Sequence, residues 1–139
     1  MKYLLDTCVI SEFTKLQPEQ RVLDWFQATQ PEALFLSVIN ISEIKKGIYK
    51  LPVSNKKQAL LLWLTALLED YQDRILPVDL SVIENWSVMV AHAEKNGQPV
   101  TSMDSLIAAT AHTHHLALVT RNVRDFAACN VTMINPWRD

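Results

Sequence analysis

The stretch Met103–Thr120 reads M-D-S-L-I-A-A-T-A-H-T-H-H-L-A-L-V-T, and its one acidic residue is Asp104. From Ser105 to Thr120 it contains no Asp, Glu, Lys or Arg. This composition predicts a buried helix over Ser102–His115, followed directly by a buried strand over Ala117–Thr120. A buried helix joined to a buried strand is the building unit of layered α/β proteins, in which helices cover a sheet.

The rest of the chain repeats this alternation of short apolar runs and longer helical patterns. Strands are predicted at Lys2–Leu5, Leu34–Ile39, Ile75–Val78, Ala117–Thr120 and Val131–Ile134. Further helices are predicted at Val9–Phe26 with a break near Pro18, Ile41–Leu51, Lys56–Tyr71, Ser81–Asn96 and in a short segment before the last strand. Pro77 places the third strand at an edge or shortens it. The sequence therefore predicts one α/β domain over residues 1–139, with a mainly parallel five-stranded sheet flanked by helices.

The composition excludes several classes of protein. With 139 residues, of which 49% are hydrophobic and 20% are charged, the chain suits one domain with a sizeable core. The formal net charge of −2 indicates no particular partner. No apolar run reaches the about 18 residues of a membrane span, and Asp6 comes too early for a signal peptide. Because Cys8 and Cys129 suggest no disulfide framework, we expect a cytoplasmic protein without membrane association.

Four acids fall at the same kind of position in the predicted fold. Each one follows a predicted strand or lies in the first turn of a predicted helix: Asp6, Glu43, Asp104 and Asp125. Because the carboxyl ends of parallel strands share one edge of a sheet, we expect these side chains to converge there. Clustered carboxylates repel one another, and a hard divalent cation such as Mg²⁺ or Mn²⁺ offsets that repulsion.

Helix capping is an alternative explanation for three of these acids. The spacing of a capping box occurs at Asn40–Glu43, Thr101–Asp104 and Asn122–Asp125. Capping accounts better for any one of them taken alone, because acids are common in first turns. Asp6 ends a predicted strand and has no such explanation. The four acids together therefore favour a metal site.

Four ordered motifs carry a resemblance to a known family: L-L-D-T-C-V-I-S-E at Leu4–Glu12, S-E-I-K-K-G at Ser42–Gly47, D-S-L-I-A-A-T-A at Asp104–Ala111 and T-R-N-V-R-D-F at Thr120–Phe126. They resemble the PIN domain, and their spacing is most similar to that of the VapC/FitB-type toxins of bacterial toxin–antitoxin pairs. The ending I-N-P-W at Ile134–Trp137 is also similar, so the resemblance spans nearly the whole chain. It implies a Mg²⁺-dependent ribonuclease, usually dimeric, that is held inactive by a small antitoxin encoded beside it.

The resemblance also assigns roles to individual residues. The acidic quartet, expected to be both catalytic and metal-binding, is Asp6, Glu43, Asp104 and Asp125. Asp6 and Asp104 are expected to be the main ligands of Mg²⁺ (or Mn²⁺), while the other two acids complete the shell directly or through water. Supporting roles fall to residues in the surrounding motifs: Thr7, Thr120 and Asn122. Cys8 departs from the family pattern, because relatives often carry Asn or Ser there, and this predicts different local hydrogen bonding.

RNA binding at an acidic site requires positive charge around it. The segment between Glu43 and Glu69 contains no acid but several lysines, and arginines flank the last motif. The expected RNA-binding residues are therefore Lys45, Lys46, Lys50, Arg121 and Arg124. A solvated helix face explains the lysines equally well.

The expected partners are an RNA substrate, a cognate antitoxin and a second copy of the chain, in an assembly that reaches operator DNA only through the antitoxin. The apolar stripe around Trp63 is expected to lie partly in the core and partly against such a partner. Trp137 is expected to be part of a packed tail. The alternatives are a PIN-like nuclease acting on DNA or RNA without a toxin role, a non-catalytic RNA-binding module and a phosphoacceptor domain. The last is disfavoured because no lysine follows Lys95 to pair with a phosphoryl group.

Overall fold

Every neighbouring pair of strands in the sheet is parallel. The computed structural model describes residues 1–139, and its strands are β1 (Tyr3–Leu5), β2 (Leu34–Ser37), β3 (Ile75–Leu76), β4 (Ala117–Val119) and β5 (Met133–Ile134). Their order across the sheet is β3-β2-β1-β4-β5, and all of the pairings are parallel. The prediction of a five-stranded, mainly parallel sheet is confirmed, and the sheet is in fact entirely parallel.

The strand order places a topological switch beside β1. From β1 the chain continues through β2 to β3 on one side, and it then returns past β1 to form β4 and β5 on the other. In open parallel sheets, the crevice outside the carboxyl ends of the strands at such a switch is the usual ligand site. Asp6 and Thr120 directly follow the two strands that border this crevice.

Helices cover both faces of the sheet. The α-helices are α1 (Thr7–Glu12), α2 (Gln20–Gln27), α3 (Val38–Tyr49), α4 (Asn55–Asp70), α5 (Leu80–Lys95) and α6 (Ser102–Thr113), and two 3₁₀ helices span Pro31–Ala33 and Val123–Cys129. Successive residues of a strand point to opposite faces. Leu4 accordingly packs in the apolar cluster that includes α6, and Leu5 packs in the cluster that includes α3 on the other face.

Helix α6 is buried along most of its length, which explains the absence of charge after Asp104. Ile107, Ala108 and Ala111 are fully buried and pack against Leu118 of β4 and its neighbours. A charged side chain at these positions would be desolvated without a partner. The helix ends at Thr113 with His114 as its C-cap, and the following residue, His115, has a left-handed φ of 56°, as in the helix-ending Schellman motif.

The region predicted as one broken helix at Val9–Phe26 forms two separate helices, α1 and α2. The turn between them is closed by Glu12, whose buried carboxylate lies 2.9 Å from Lys15 Nζ and accepts a 2.8 Å hydrogen bond from the Glu19 N–H. Helix α1 begins at Thr7, two residues earlier than predicted, because Asp6 serves as its N-cap. The prediction that Asp6 has no capping role is therefore wrong.

Helix α4 leaves part of its apolar surface exposed. Leu64 is buried, whereas Trp63 and its apolar neighbours are only partly buried against the core. Leu62 is 71% exposed. No helix of the structure combines the length and the apolar character that crossing a bilayer requires.

Candidate functional site

Asp6 is a buried carboxylate that is fixed at both oxygens. Its Oδ1 accepts a 2.8 Å hydrogen bond from the Thr7 N–H, and its Oδ2 accepts a 2.7 Å bond from the Thr120 hydroxyl. These donors fix the rotation of the carboxylate. The parallel pairing of β1 with β4 brings Asp6 and Thr120 side by side, although they lie 114 positions apart in the sequence.

Cys8 lies against the same carboxylate. Its Sγ is 3.6 Å from Asp6 Oδ2 and accepts a 3.4 Å hydrogen bond from the Arg121 N–H. Burial, and secondly the charge of Asp6, raise the pKa of the Cys8 thiol, so the thiol stays protonated at neutral pH. The side chain acts as a weak, neutral hydrogen-bond donor beside Asp6.

Thr7 links Glu43 to the first strand through a chain of hydrogen bonds. The Thr7 hydroxyl donates to Glu43 Oε1 at 2.6 Å and accepts from the Asn40 side-chain amide at 3.1 Å. Asn40 is fully buried, and its Oδ1 accepts a 2.6 Å bond from the Ser37 hydroxyl. Every member of this chain has a partner, so the position of Glu43 is set by a satisfied polar network.

The position of Glu43 differs from the prediction. Helix α3 begins at Val38 with Ser37 as its N-cap, and the reciprocal capping box is formed by Ser37 and Asn40. Glu43 therefore lies in the second turn, outside the region where a cap acts. The capping alternative for Glu43 is thereby removed, because no Asn40–Glu43 box exists.

Asp104 lies in the first turn of α6. Its backbone N–H donates to the hydroxyl of the N-cap residue Thr101 at 3.3 Å, which confirms the predicted Thr101–Asp104 spacing as a helix start. Burial raises the pKa of the Asp104 carboxyl, and the charges of Asp6 and Asp125 raise it further. The charges of Asp6 and of Asp125 thus each act on Asp104.

Asp125 is the most exposed of the four acids. It lies in the first turn of the 3₁₀ helix that begins after Asn122, and its N–H donates to the Asn122 carbonyl at 3.0 Å. The Asn122 side chain makes no capping bond. Asp125 and Asp104 line a common cavity of about 330 Å³ together with Arg124.

The donor chemistry of this cluster fits a hard cation. The four acids offer only carboxylate oxygens, and none is within ion-pair distance of a basic side chain, because the one salt bridge of the structure joins Lys15 and Glu12. No three His, Cys, Asp or Glu side chains approach closely enough to enclose an ion by themselves. Mg²⁺ does not require such a cage, because it retains several waters and binds through one or two carboxylates.

The expected RNA-binding residues fall in two places. Lys45 on α3 is half-buried, Lys46 on the same helix is exposed, and the exposed Lys50 is the C-cap residue that follows the helix. Arg121 and Arg124 are exposed and line a second cavity, of about 640 Å³, which also borders Asp125.

Two parts of the site were not predicted from the sequence: the hydrogen bonds that join Ser37, Asn40 and Thr7, and the approach of Arg138. The spacing of Ser37 and Asn40 is a local signal for a helix start, but nothing local links Asn40 to Thr7. Arg138 of the C-terminal tail lines the cavity of Arg121. Its approach depends on the pairing of β4 with β5.

Comparison with known proteins identifies the family to which the chain belongs. The family model described as "PIN domain" matches residues 3–130. The chain is 36% identical to Toxin FitB of Neisseria gonorrhoeae over 137 residues, covering 98% of this chain and 99% of that protein. It is 34% identical to VapC ribonuclease Y4jK of Sinorhizobium fredii over 135 residues, covering 96% of each.

Solved structures show the same architecture. The crystal structure of FitAcB from Neisseria gonorrhoeae matches with a TM-score of 0.94 and 36% identity over 99% of both chains. The structure of FitAB bound to the IR36 DNA fragment also matches with a TM-score of 0.94, at 34% identity over 99% of this chain and 96% of that one. The family match, together with relatives this similar over nearly their whole length, shows that the chain belongs to the PIN domain family, alongside the VapC and FitB toxins.

Proposed function

We propose that this protein is a divalent-metal-dependent endoribonuclease that acts as the toxin of a toxin–antitoxin pair. The observation that carries the proposal is the group of four acids at the switch point of the sheet, which has no basic partner. The charges of Asp6 and Asp125 act on Asp104, and Glu43 accepts a hydrogen bond from the hydroxyl of Thr7, the residue after Asp6. Unpaired acids in such a group cost stability, and binding a cation offsets this cost.

In this proposal Asp6 and Asp104 hold Mg²⁺ (or Mn²⁺), and Glu43 and Asp125 complete the shell directly or through water. When bound, the ion supplies an activated water and neutralises charge on the phosphate oxygens. The Thr7 N–H and the Thr120 hydroxyl keep the Asp6 carboxylate in one orientation. Glu43 has one oxygen held by Thr7 and the other free of protein partners, which suits it to orient the attacking water.

The toxin role rests on similarity to proteins with that name. A relative 36% identical is called Toxin FitB, and a similar structure is a FitAB complex bound to DNA. We infer by analogy that a small antitoxin binds this chain, that the active form is a dimer in the cytoplasm, and that operator DNA is reached through the antitoxin. The partly exposed apolar face of α4 offers surface for such contacts.

The direct test is a digest of RNA by the purified protein. We expect cleavage with Mg²⁺ or Mn²⁺ and none with EDTA, because the acids alone cannot neutralise the phosphate charge. A DNA strand of the same sequence serves as the substrate control. Cleavage that persists in EDTA would contradict the metal-dependent mechanism, and cleavage of DNA alone would favour the alternative of a DNA-directed nuclease.

Metal binding is also expected to stabilise the fold. The raised pKa of Asp104 means that the folded state binds its proton more tightly than the unfolded chain does. Its contribution to stability therefore falls as the pH rises from the ordinary carboxyl pKa to the raised one, and above that range the charged form is destabilising. In metal-free buffer at neutral pH and low ionic strength, Asp104→Asn should melt no lower than wild type.

The same variant should lose most of the increase in melting temperature that Mg²⁺ or Mn²⁺ gives the wild type. Calorimetry or circular dichroism with and without metal measures both effects. An unchanged metal response in Asp104→Asn would mean that this residue acts only at the helix start.

The lysines of α3 are expected to contact the phosphate backbone. Replacing Lys45, Lys46 and Lys50 with Gln should weaken RNA binding and flatten its salt dependence by about 0.7 in log–log slope for each single-strand phosphate that is no longer neutralised. Fluorescence anisotropy with a short labelled RNA, repeated at several salt concentrations, measures both quantities. A weaker affinity with an unchanged slope would show that the lysines act indirectly.

A further inference from the structure

A cavity of about 640 Å³ lies beside the acidic cluster, between the 3₁₀ helix Val123–Cys129 and the C-terminal tail. We call it the arginine cavity, because its lining includes Arg121, Arg124 and Arg138, together with the ring of Trp137. Its two carboxylates are Asp125, which belongs to the acidic cluster, and Glu19. The cavity therefore borders the acidic cluster through Asp125, and its lining carries three arginines against two acids.

The arginines of this cavity have no carboxylate partner. The one salt bridge of the structure joins Lys15 and Glu12, so none of the guanidinium groups is in a close ion pair, and only the longer-range effect of Arg121 on the Glu12 carboxylate is resolved. All three arginines of the lining are exposed. A guanidinium group matches a phosphate with two parallel hydrogen bonds and stacks on planar groups. Free arginines around a concave surface are therefore suited to a ligand that carries both phosphate and an aromatic ring.

The wall formed by the tail is held in place from two sides. Asn135 is buried, and its Oδ1 accepts a 3.0 Å hydrogen bond from the Trp137 N–H. The Trp137 carbonyl accepts a 3.0 Å bond from Arg21 Nη1 of α2. Trp137 also packs against the apolar core. A wall fixed in this way requires little ordering on binding, which favours affinity.

Arg121 extends the aromatic wall. Its guanidinium carbon lies 5.5 Å from the centroid of the Trp137 ring, within the range of a cation–π contact. The Arg121 N–H donates to Cys8 Sγ, which lies against Asp6. One residue thus connects the loop of the acidic centre with the aromatic wall of the arginine cavity.

We propose that the arginine cavity is a nucleotide subsite, which binds the nucleotide next to the scissile phosphate of a single-stranded RNA. The arginines contact the phosphate, and the base stacks on the guanidinium plane of Arg121, which itself lies over the ring of Trp137. The volume lies within the range of about 300–1,000 Å³ that is typical of small-ligand sites. Stacking on aromatic rings and arginine planes is the usual way in which proteins hold unpaired bases. The inference rests on the proposed ribonuclease function and specifies how its substrate is held.

The test measures binding separately from cleavage. Asp104→Asn serves as the background, so that a short fluorescein-labelled single-stranded RNA of mixed sequence remains intact during anisotropy titrations. In this background, Arg121→Gln and Arg138→Gln should each weaken binding roughly fivefold near 0.1 M salt and lower the log–log salt slope by about 0.7. The double variant should show both effects combined.

Two further variants separate the subsite from a general charge effect. Lys2→Gln removes an exposed positive charge before β1, at the opposite edge of the sheet from the acids, and should leave affinity nearly unchanged. Arg121→Lys keeps the positive charge but removes the planar guanidinium group. The log–log salt slope should therefore stay the same while the affinity for RNA falls severalfold. Circular dichroism confirms that each variant is folded.

The outcomes distinguish this inference from the ribonuclease proposal. The subsite would be overturned if the double arginine variant bound RNA with the same affinity and salt slope as the Asp104→Asn background. It would also be overturned if Lys2→Gln weakened binding as much as the arginine variants do. Either result would count even if the wild type cleaves RNA. If the arginine variants lose binding as expected but the wild type cleaves no RNA under any metal condition, the arginine cavity stands as an RNA-binding site, while the ribonuclease proposal and the placement beside a scissile phosphate both fail.

Discussion

Asp104→Asn is expected to abolish RNA cleavage by the purified protein and growth arrest when the protein is expressed alone in bacteria. The change keeps the size of the side chain and removes its charge, while the Thr101 cap, which binds the backbone N–H, is unaffected. Charge neutralisation and water activation by a bound ion are together worth several kcal/mol in the transition state, so the loss of rate should be roughly a thousandfold or more. Cleavage of a labelled RNA and colony counts at equal soluble protein level measure the two effects.

Asp104 is a better position for this test than Asp6. Both Asp6 oxygens accept hydrogen bonds from protein donors. In Asp6→Asn the side-chain NH₂ group would face one of these donors, so the substitution would disturb the fold as well as remove the charge. Asp6→Asn should also lose activity, but with lower stability. Asp79→Asn is the matched control, since Asp79 caps α5 through its side chain and Asn caps equally well. It should remain active and toxic.

The cellular experiment has a second arm. Co-expression of the small protein encoded beside this chain should restore growth with the wild type, if that protein is the antitoxin. An Asp104→Asn variant as toxic as wild type would contradict the nuclease mechanism. A harmless but RNA-cleaving wild type would instead contradict the toxin role and favour a processing nuclease.

The strands could be predicted because each is a short apolar run between helical patterns. The observed β1 and β4 lie within the predicted segments, and β3 ends directly before Pro77 at the edge of the sheet, as a residue without an N–H requires. The capping role of Asp6 is different, because it depends on a turn of the backbone that immediately follows the strand. No pattern of hydrophobicity reports such a turn.

The start of α3 shows how a local preference was overridden. Val38 and Ile39 are β-branched and extend the apolar run of β2, so the sequence favoured a strand there. The reciprocal Ser37–Asn40 bonds stabilise a helix start at the same place. The hydrogen bond between Glu43 and Thr7 joins residues 36 positions apart. It depends on the pairing of β1 with β2, so the sequence could suggest the participation of Glu43 but not the way it is held.

The second large effect is expected from a change at Thr7, a residue that is not one of the proposed metal ligands. Thr7→Val keeps the shape of the side chain but removes the hydroxyl that donates to Glu43 and accepts from Asn40. The buried Asn40 amide is then left without its acceptor, which costs about 1–3 kcal/mol of folding free energy. The hydrogen bond that orients Glu43 is also removed, and removing a partner of this kind typically lowers metal affinity or activity about 10- to 100-fold.

The metal dependence distinguishes positioning from a simple decrease in stability. If Thr7 orients Glu43 for the ion and its water, Thr7→Val should need more Mg²⁺ for half-maximal cleavage, and Thr7→Ser, which keeps the hydroxyl, should restore most of the wild-type response. Thr65→Val is the matched control, because the Thr65 hydroxyl only bonds the Leu61 carbonyl within the exposed part of α4. Cleavage rates are measured across a Mg²⁺ titration at a temperature where all variants are folded. A Thr7→Val protein that melts lower but cleaves with the wild-type rate and Mg²⁺ requirement would show that the hydroxyl stabilises the fold without positioning Glu43.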